Sequence, residues 1–112
     1  MIKVILKTKE KSIVGFQVSG HAEYEEIGKD IVCAGVSVLT YNTINTLEEI
    51  IKLTKEIEYN IKDNFIELEI YPDKLSDKLM HDTQLVLKSF EMGIISILKE
   101  HQEMIGLYYK EV

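Results

Sequence analysis

The sequence predicts an α+β domain of two layers, in which two helices cover one face of a mostly antiparallel sheet. Two pairs of segments alternate apolar and polar residues, and each pair is joined by a short polar turn, which is typical of β-hairpins. A longer segment with helical spacing follows each pair, and a last alternating segment ends the chain. The predicted order is therefore ββαββαβ, with a single core between the sheet and the helices.

The first hairpin is predicted to lead directly into the most unusual stretch of the chain. Residues 1–7 and 13–19 alternate in hydrophobicity, and the polar residues 8–12 form the turn between them. Gly15, inside the second strand, indicates a bulge or a close approach of another backbone. Gly20 breaks this strand and presents His21 just beyond its end.

The remaining elements follow from the same periodicities. The first helix is predicted from Asp30 to about Thr54, and the second from a cap at Ser76 or Asp73 to about Lys99. A second hairpin pairs residues 55–61 with residues 65–71 around an Asp-Asn turn. Residues 104–110 form the last strand.

Length and charge limit the classes of function. With 112 residues, 46% of them hydrophobic and 29% charged, the chain is expected to form one soluble domain over residues 1–112. A net charge of −6 argues against direct binding to nucleic acid and suits a basic protein substrate. No apolar run reaches the roughly 20 residues that span a bilayer. We expect a cytoplasmic protein with no membrane partner.

His21 and Cys33 are the residues most suited to chemistry. Cys33 is the only cysteine, which excludes an internal disulfide. If Asp30 caps the helix, Cys33 lies in its first turn, where the helix dipole favours a thiolate and free amides could hold an oxyanion. A histidine within reach would accept the thiol proton and return it to the leaving group. Ser37, four residues after Cys33, lies on the same helical face.

Each of these features also has a purely structural interpretation. A lone cysteine in an apolar helix is usually a small buried hydrophobic residue. The segment 22–29 is either a solvated connection or a lid with hinges at Gly20 and Gly28. Glu23 and its neighbouring carboxylates would raise the thiol pKa if they lay near it. Tyr24 and Ile27 are the apolar residues with which such a lid could grip an extended peptide.

Two motifs in this stretch identify a family resemblance. Gly20-His21-Ala22, followed by a loop and then by residues 30–37, DIVCAGVS, resembles the signature of the ribosomal-processing cysteine proteases, the Prp family. The resemblance extends over the whole chain in length and element order. Members of the family carry alanine or glycine at the place of Gly35.

The resemblance implies an endopeptidase that removes the N-terminal extension of large-subunit ribosomal protein twenty-seven. It implies Cys33 as the nucleophile and His21 as its base, with less defined supporting roles for Asp30, Ser37 and Gly20. Asp30 either caps the helix or orients His21, since one carboxylate does not do both. The resemblance also implies a homodimer and a mobile loop over the site. The residues expected in the lid or in substrate binding are Ala22, Glu23, Tyr24, Ile27 and Gly28.

The sequence lacks the residues that metal-dependent or phosphate-binding chemistry would need. One cysteine and three scattered histidines do not supply a four-ligand zinc site, and no phosphate-binding glycine loop is present. We therefore expect neither a metal nor a cofactor. The alternative function is a non-enzymatic, ribosome-associated protein-binding module, in which Cys33 would be a core residue.

Overall fold

The computed structural model describes residues 1–20 and 27–112, and the side chains of all of these except 27–30. One five-stranded sheet forms the centre of the fold. The strands are β1 (Ile2–Lys9), β2 (Ser12–Ser19), β3 (Ile57–Lys62), β4 (Phe65–Ile70) and β5 (Ile105–Glu111). Their order across the sheet is β3-β4-β2-β1-β5. Only the pairing of β5 with β1 is parallel among these strands. The predicted order ββαββαβ and the mostly antiparallel sheet are confirmed.

Two-residue turns close both hairpins. Glu10 and Lys11, between β1 and β2, have φ angles of 51° and 69°, and Asn64, between β3 and β4, has a φ of 64°. Because both of its residues are left-handed, the turn between β1 and β2 matches the right-handed twist of the strands that it joins. Gly15 shows both features expected of it. The register of β1 and β2 shifts beside it, between Lys7 and Thr8, and a Cβ on Gly15 would lie 2.5 Å from the Leu68 carbonyl oxygen.

The helices are α1 (Ile27–Asn45) and α2 (Asp77–Glu100). The prediction for α1 was wrong at both ends, because it placed the start at Asp30 and the end near Thr54. A π-helical turn, Thr46–Ile50, follows α1, and the left-handed Lys52 (φ 69°) then reverses the chain. The end of α2 lies one residue beyond the expected one. Its cap is Ser76, whose hydroxyl accepts a hydrogen bond from the Leu79 amide at 3.2 Å.

The core lies between the inner face of the sheet and the two helices. The rings of Phe16 on β2 and Phe90 on α2 stack with centroids 4.5 Å apart at its centre. A glycine of each helix lies where the two helices meet, and only the one on α2 leaves no room for a side chain. A Cβ on Gly93 of α2 would lie 2.8 Å from Leu39, and one on Gly35 of α1 would lie 3.4 Å from Ile97. The buried apolar residues of the inner sheet face include Ile2, Val4, Leu6, Phe16, Val18, Ile57, Ile66, Leu68, Ile70 and Ile105.

No helix within the described ranges is long and apolar enough to cross a membrane.

Candidate active site

Cys33 is the seventh residue of α1 and lies on one flank of that helix. Its side chain is partly exposed and packs against the core. Its neighbours divide the helix into faces, since Val32 and Val36 are buried whereas Ile31 and Ala34 are exposed. Cys33 therefore lies at the border between the core and the solvent, where a thiol is anchored and still accessible.

This position corrects the prediction that placed Cys33 in the first helical turn. Because α1 begins at Ile27, Asp30 has a helical backbone and is not the N-cap residue. The free amides of the helix belong to the residues at its start, and the helix dipole acts mainly within the first turn. The amide of Cys33 falls within the regular hydrogen-bonded ladder. The sequence argument for an oxyanion site and a lowered thiol pKa in the first turn therefore does not apply to Cys33.

Ser37 shares the flank of Cys33, as the spacing predicts. The two residues are separated by about 40° around the helix axis, whereas Cys33 and Gly35 are separated by about 160°. Gly35 faces α2, because a Cβ there would lie 3.4 Å from Ile97. The flank that carries Cys33 and Ser37 therefore faces away from α2. Both side chains are partly buried, so this flank offers two adjacent polar groups next to the core.

Gly20 follows the last residue of β2, where the prediction placed a break in the strand. Its φ is +82°, a conformation that residues with a side chain rarely adopt. A Cβ at this position would lie 2.6 Å from the Met1 carbonyl oxygen. The Gly20 amide donates to the Asn64 carbonyl at 3.1 Å. The backbone is thus held in a shape that only glycine fits, immediately before His21 in the chain.

Asn64 is a residue that sequence reasoning treated only as part of a turn. Its carbonyl binds Gly20, and its Oδ1 atom is buried without a hydrogen-bond partner among the described residues. An unpartnered buried amide oxygen is uncommon in folded proteins. The turn between β3 and β4 therefore brings polar groups to the point where the His21 segment begins. A tight turn gives no sequence signal for such a long-range contact.

The predicted lid is described only in part. His21, Ala22, Glu23 and Tyr24 lie outside the described residues. The backbones of Ile27 and Gly28 are helical, so the loop predicted to extend to Lys29 gives way to α1 at Ile27, and the hinge expected at Gly28 falls inside a helix. Among the described residues, no group of three or more histidine, cysteine or acidic side chains could hold a metal ion.

Comparison with known proteins places this arrangement in a family. The family model for the cysteine protease Prp matches residues 1–106. A curated relative from Staphylococcus aureus, a ribosomal processing cysteine protease Prp, is 33% identical over 102 residues, which cover 90% of this chain and 91% of that protein. The protein of the same name from Bacillus subtilis is 22% identical over 99 residues and 88% of each chain.

Solved structures share the fold. A crystal structure of a Streptococcus mutans protein aligns with a TM-score of 0.84 and 25% identity, over 100% of this chain and 96% of that one. The essential ribosomal processing protease Prp from S. aureus, in complex with a substrate peptide, aligns with a TM-score of 0.82 and 25% identity, over 98% of this chain and 100% of that one.

The S. aureus enzyme has also been solved with a covalently linked product peptide; that structure aligns with a TM-score of 0.77 and 28% identity, over 98% of this chain and 100% of that one. Family membership favours the enzyme over the non-enzymatic binding module. With a family model that matches almost the whole chain and a fold that solved members share, this protein belongs to the cysteine protease Prp family, and it is a hydrolase.

Proposed function

We propose that residues 1–112 form a single endopeptidase domain that removes the N-terminal extension of large-subunit ribosomal protein twenty-seven in the cytoplasm. The observation that carries this proposal is that a chain of a cysteine protease family contains one cysteine. Cys33 is therefore the nucleophile. Its partly exposed position on α1 is compatible with this role.

His21 is the base of the proposed dyad. It accepts the proton of the Cys33 thiol, and the thiolate attacks the scissile carbonyl carbon to form a C–S bond. The C–N bond then breaks, and the leaving amine takes the proton from His21. A water molecule, deprotonated by His21, attacks the thioester and releases the new carboxylate and the thiol. The S. aureus structure with a covalently linked product peptide supports such a covalent step.

The other motif residues receive supporting roles. Gly20 fixes the backbone that leads to His21, which is supported by its φ of +82° and by its hydrogen bond to Asn64. Since Asp30 lies within α1, we assign it the second of its two expected roles, the orientation of His21. Ser37, one turn after Cys33 on the same flank, is proposed to contact the bound peptide.

The substrate is proposed to be an extended basic segment. A net charge of −6 favours encounter with a basic ribosomal protein. Ala22, Glu23, Tyr24, Ile27 and Gly28 are proposed to contact this segment. The enzyme is proposed to act as a homodimer without a cofactor.

Mass spectrometry of the substrate tests the activity. Native protein, Cys33→Ala and His21→Ala are each incubated with a peptide of the N-terminal extension. Native protein is expected to make one cut, Cys33→Ala none, and His21→Ala is expected to be slower by about 10²–10⁴-fold. Full activity of His21→Ala would refute the dyad but not the protease. No cut by native folded protein would refute the proposed substrate.

Alkylation gives an independent check on the nucleophile. Because Cys33 is the only cysteine, one added mass with iodoacetamide reports on this thiol alone. An activated thiol is expected to react fast near neutral pH in the folded protein and to lose this rate in His21→Ala. Labelling that requires unfolding would contradict the assignment of Cys33.

A further inference from the structure

Strand β3 forms one edge of the sheet, and no strand within the described ranges pairs with its other side. Just before β3, the Tyr71 amide donates to the Glu56 carbonyl at 2.8 Å, so this pair of opposite residues is hydrogen-bonded. Hydrogen-bonded pairs alternate along two antiparallel strands. In β3 the backbone groups of Glu58, Asn60 and Lys62 therefore face β4.

The residues between them leave backbone groups free at the edge. The N–H and C=O groups of Tyr59 and Ile61 point away from β4, toward the open side of the strand. Their side chains lie on the inner face of the sheet, where Tyr59 is 39% exposed and Ile61 is 45% exposed. Every residue of β3 after Ile57 is exposed. Such an edge is a template on which another extended chain can pair.

This edge lies on the same side of the molecule as Cys33. Helix α2 packs against β2 and β5, and Phe90 stacks on Phe16 of β2. The flank that carries Cys33 faces away from α2, and so toward the half of the sheet that contains β3. On this side the Tyr59 hydroxyl donates to Glu48, just after α1, at 3.0 Å. The edge and the flank thus border one open region.

The strand also points toward the proposed dyad. From Ile61 the chain enters the turn to β4, and in this turn the Asn64 carbonyl accepts the hydrogen bond of the Gly20 amide at 3.1 Å. Gly20 is the residue before His21 in the sequence. The end of the edge at Ile61 is therefore the end nearest to the point where the chain leads to the proposed base.

Carboxylates flank this edge on the outer face of the sheet. Glu58, Glu67 and Glu69, with Asn60, line a shallow depression of about 260 Å³ beside the edge. Lys7 reaches the same carboxylates and is paired with Glu67 at 3.3 Å and with Glu69 at 3.0 Å. Glu58 lies on β3 itself. A basic side chain placed beside β3 would meet unlike charge.

The opposite edge of the sheet, β5, is less suited to a basic chain. Lys110 of β5 is exposed and lies opposite Lys7 of β1, and the exposed Lys3 lies opposite Gly106. Like charges there would repel a basic peptide. Strand β3 contains one lysine, Lys62, at its end. The two edges therefore differ in charge, and β3 is the one that suits the proposed substrate.

We propose that the substrate peptide binds to the edge of β3 as an added strand, hydrogen-bonded to the main chain of Tyr59 and Ile61. This inference rests on the proposed function and names how its substrate is recognised. Side chains of a strand alternate between its two faces. Apolar side chains of the peptide then contact Tyr59 and Ile61, and basic ones lie beside Glu58. The recognised substrate is an extended segment in which apolar residues alternate with basic or polar ones.

N-methylation of the peptide tests the added strand without changing the edge. A fluorescent peptide of the N-terminal extension is bound to Cys33→Ala, and its dissociation constant is measured by fluorescence anisotropy. Each backbone nitrogen of the peptide is then methylated singly, which removes one donor. Where that N–H binds β3, the dissociation constant is expected to rise about 2–10-fold. These effects should fall on every second residue, and their absence would overturn the proposal.

Charge reversal compares the two edges. Glu58→Lys, in the Cys33→Ala background, is expected to raise the dissociation constant of the basic peptide about fivefold in dilute buffer, and less in high salt. Glu111→Lys is the matched control, because it makes the same change at an exposed residue of β5. It should bind as tightly as its parent. An equal effect of both variants would overturn the choice of β3. Circular dichroism establishes that each variant is folded.

Ile61→Pro removes one outward N–H, a change that an edge strand tolerates. It is expected to weaken peptide binding about 2–10-fold. If it instead lowers the mass measured by light scattering and leaves peptide binding unchanged, the edge joins two copies of the chain and the proposal is overturned. Cleavage of the peptide by native protein, with none of the expected effects on binding, would overturn the edge alone. A peptide that folded protein neither binds nor cuts would overturn the proposed substrate as well.

Discussion

Replacing Gly20 with alanine is predicted to destabilise the protein and to abolish its activity. The φ of Gly20 is +82°, and a left-handed conformation costs a residue with a Cβ about 1–2 kcal/mol. The added Cβ would also lie 2.6 Å from the Met1 carbonyl oxygen, and overpacking typically costs about 1–3 kcal/mol. Both costs arise from the same added Cβ and partly overlap, so we expect Gly20→Ala to lower the free energy of unfolding by about 2–4 kcal/mol, somewhat less than their full sum of about 2–5 kcal/mol.

Gly35→Ala is the matched control, because it makes the same change within the same motif. A Cβ at Gly35 would meet only the end of the Ile97 side chain at 3.4 Å, and alanine is favoured over glycine inside a helix by about 1 kcal/mol. We expect its free energy of unfolding to lie within about 1 kcal/mol of the native value.

Thermal unfolding and peptide cleavage measure both variants. For a domain of this size, about 1 kcal/mol shifts the Tm by about 4 °C. Gly20→Ala should therefore unfold about 8–16 °C below native protein, whereas Gly35→Ala should stay within about 4 °C. Cleavage should be lost in Gly20→Ala, because the backbone that leads to His21 is displaced, and retained in Gly35→Ala. A Gly20→Ala variant with native Tm and native activity would refute this reasoning.

Two further predictions concern polar groups. The Thr83 hydroxyl is buried with no hydrogen-bond partner among the described residues, so Thr83→Val should raise the free energy of unfolding in urea by about 1 kcal/mol. Thr40→Val is the control and should not stabilise the protein, because it loses a 2.7 Å hydrogen bond to the Val36 carbonyl. Equal destabilisation by the two substitutions would contradict this reasoning. Hydrogen bonds from Gln17 and Lys7 hold the pKa of Glu67 below its ordinary 4.5, so the stability it contributes is present above that pH and is lost as the pH falls through the lowered value. Glu67→Gln should cost about 0.5–1 kcal/mol at pH 7, and this cost should shrink as the pH falls through the lowered pKa; a difference that is independent of pH would exclude this linkage.

The sheet and the order of its elements could be predicted because each strand follows a local rule. Alternation of apolar residues identified β1 and β2, and the Asp63-Asn64 pair identified the turn before β4. The parallel pairing of β5 with β1 was not predicted, because it depends on how α2 crosses the sheet. Local periodicity identifies a strand but not its neighbour.

The bounds of α1 show where sequence reasoning fails. Asp30 is a good capping residue, so the helix was expected to begin there, yet it begins at Ile27. A capping preference of about 1 kcal/mol is small beside the packing of a helix against a core. The predicted C-terminal end of α1 was wrong for a related reason. The chain is reversed by Lys52 in a left-handed conformation, which a lysine in the sequence does not indicate.

The candidate site could be located from the sequence more securely than its chemistry. The spacing of Cys33 and Ser37 follows from helix geometry wherever α1 begins, so their shared flank was predictable. The prediction of a lowered pKa for the Cys33 thiol required Cys33 to lie in the first turn. It does not hold, because α1 begins three residues earlier than predicted. Features that depend on periodicity tolerate an error in a helix boundary, whereas features that depend on the helix end do not.

The two glycines of the motif are constrained by different physics. Gly20 is required by its own backbone, since its positive φ and the nearby Met1 carbonyl oxygen both exclude a side chain. Gly35 is required by neither, because its only close neighbour among the described residues is the flexible end of Ile97. The resemblance implied that family members carry alanine or glycine at the place of Gly35, and the 3.4 Å spacing explains that tolerance. A motif glycine is therefore best judged by what a Cβ would meet, and by that measure Gly20 is required at the proposed site whereas Gly35 is not.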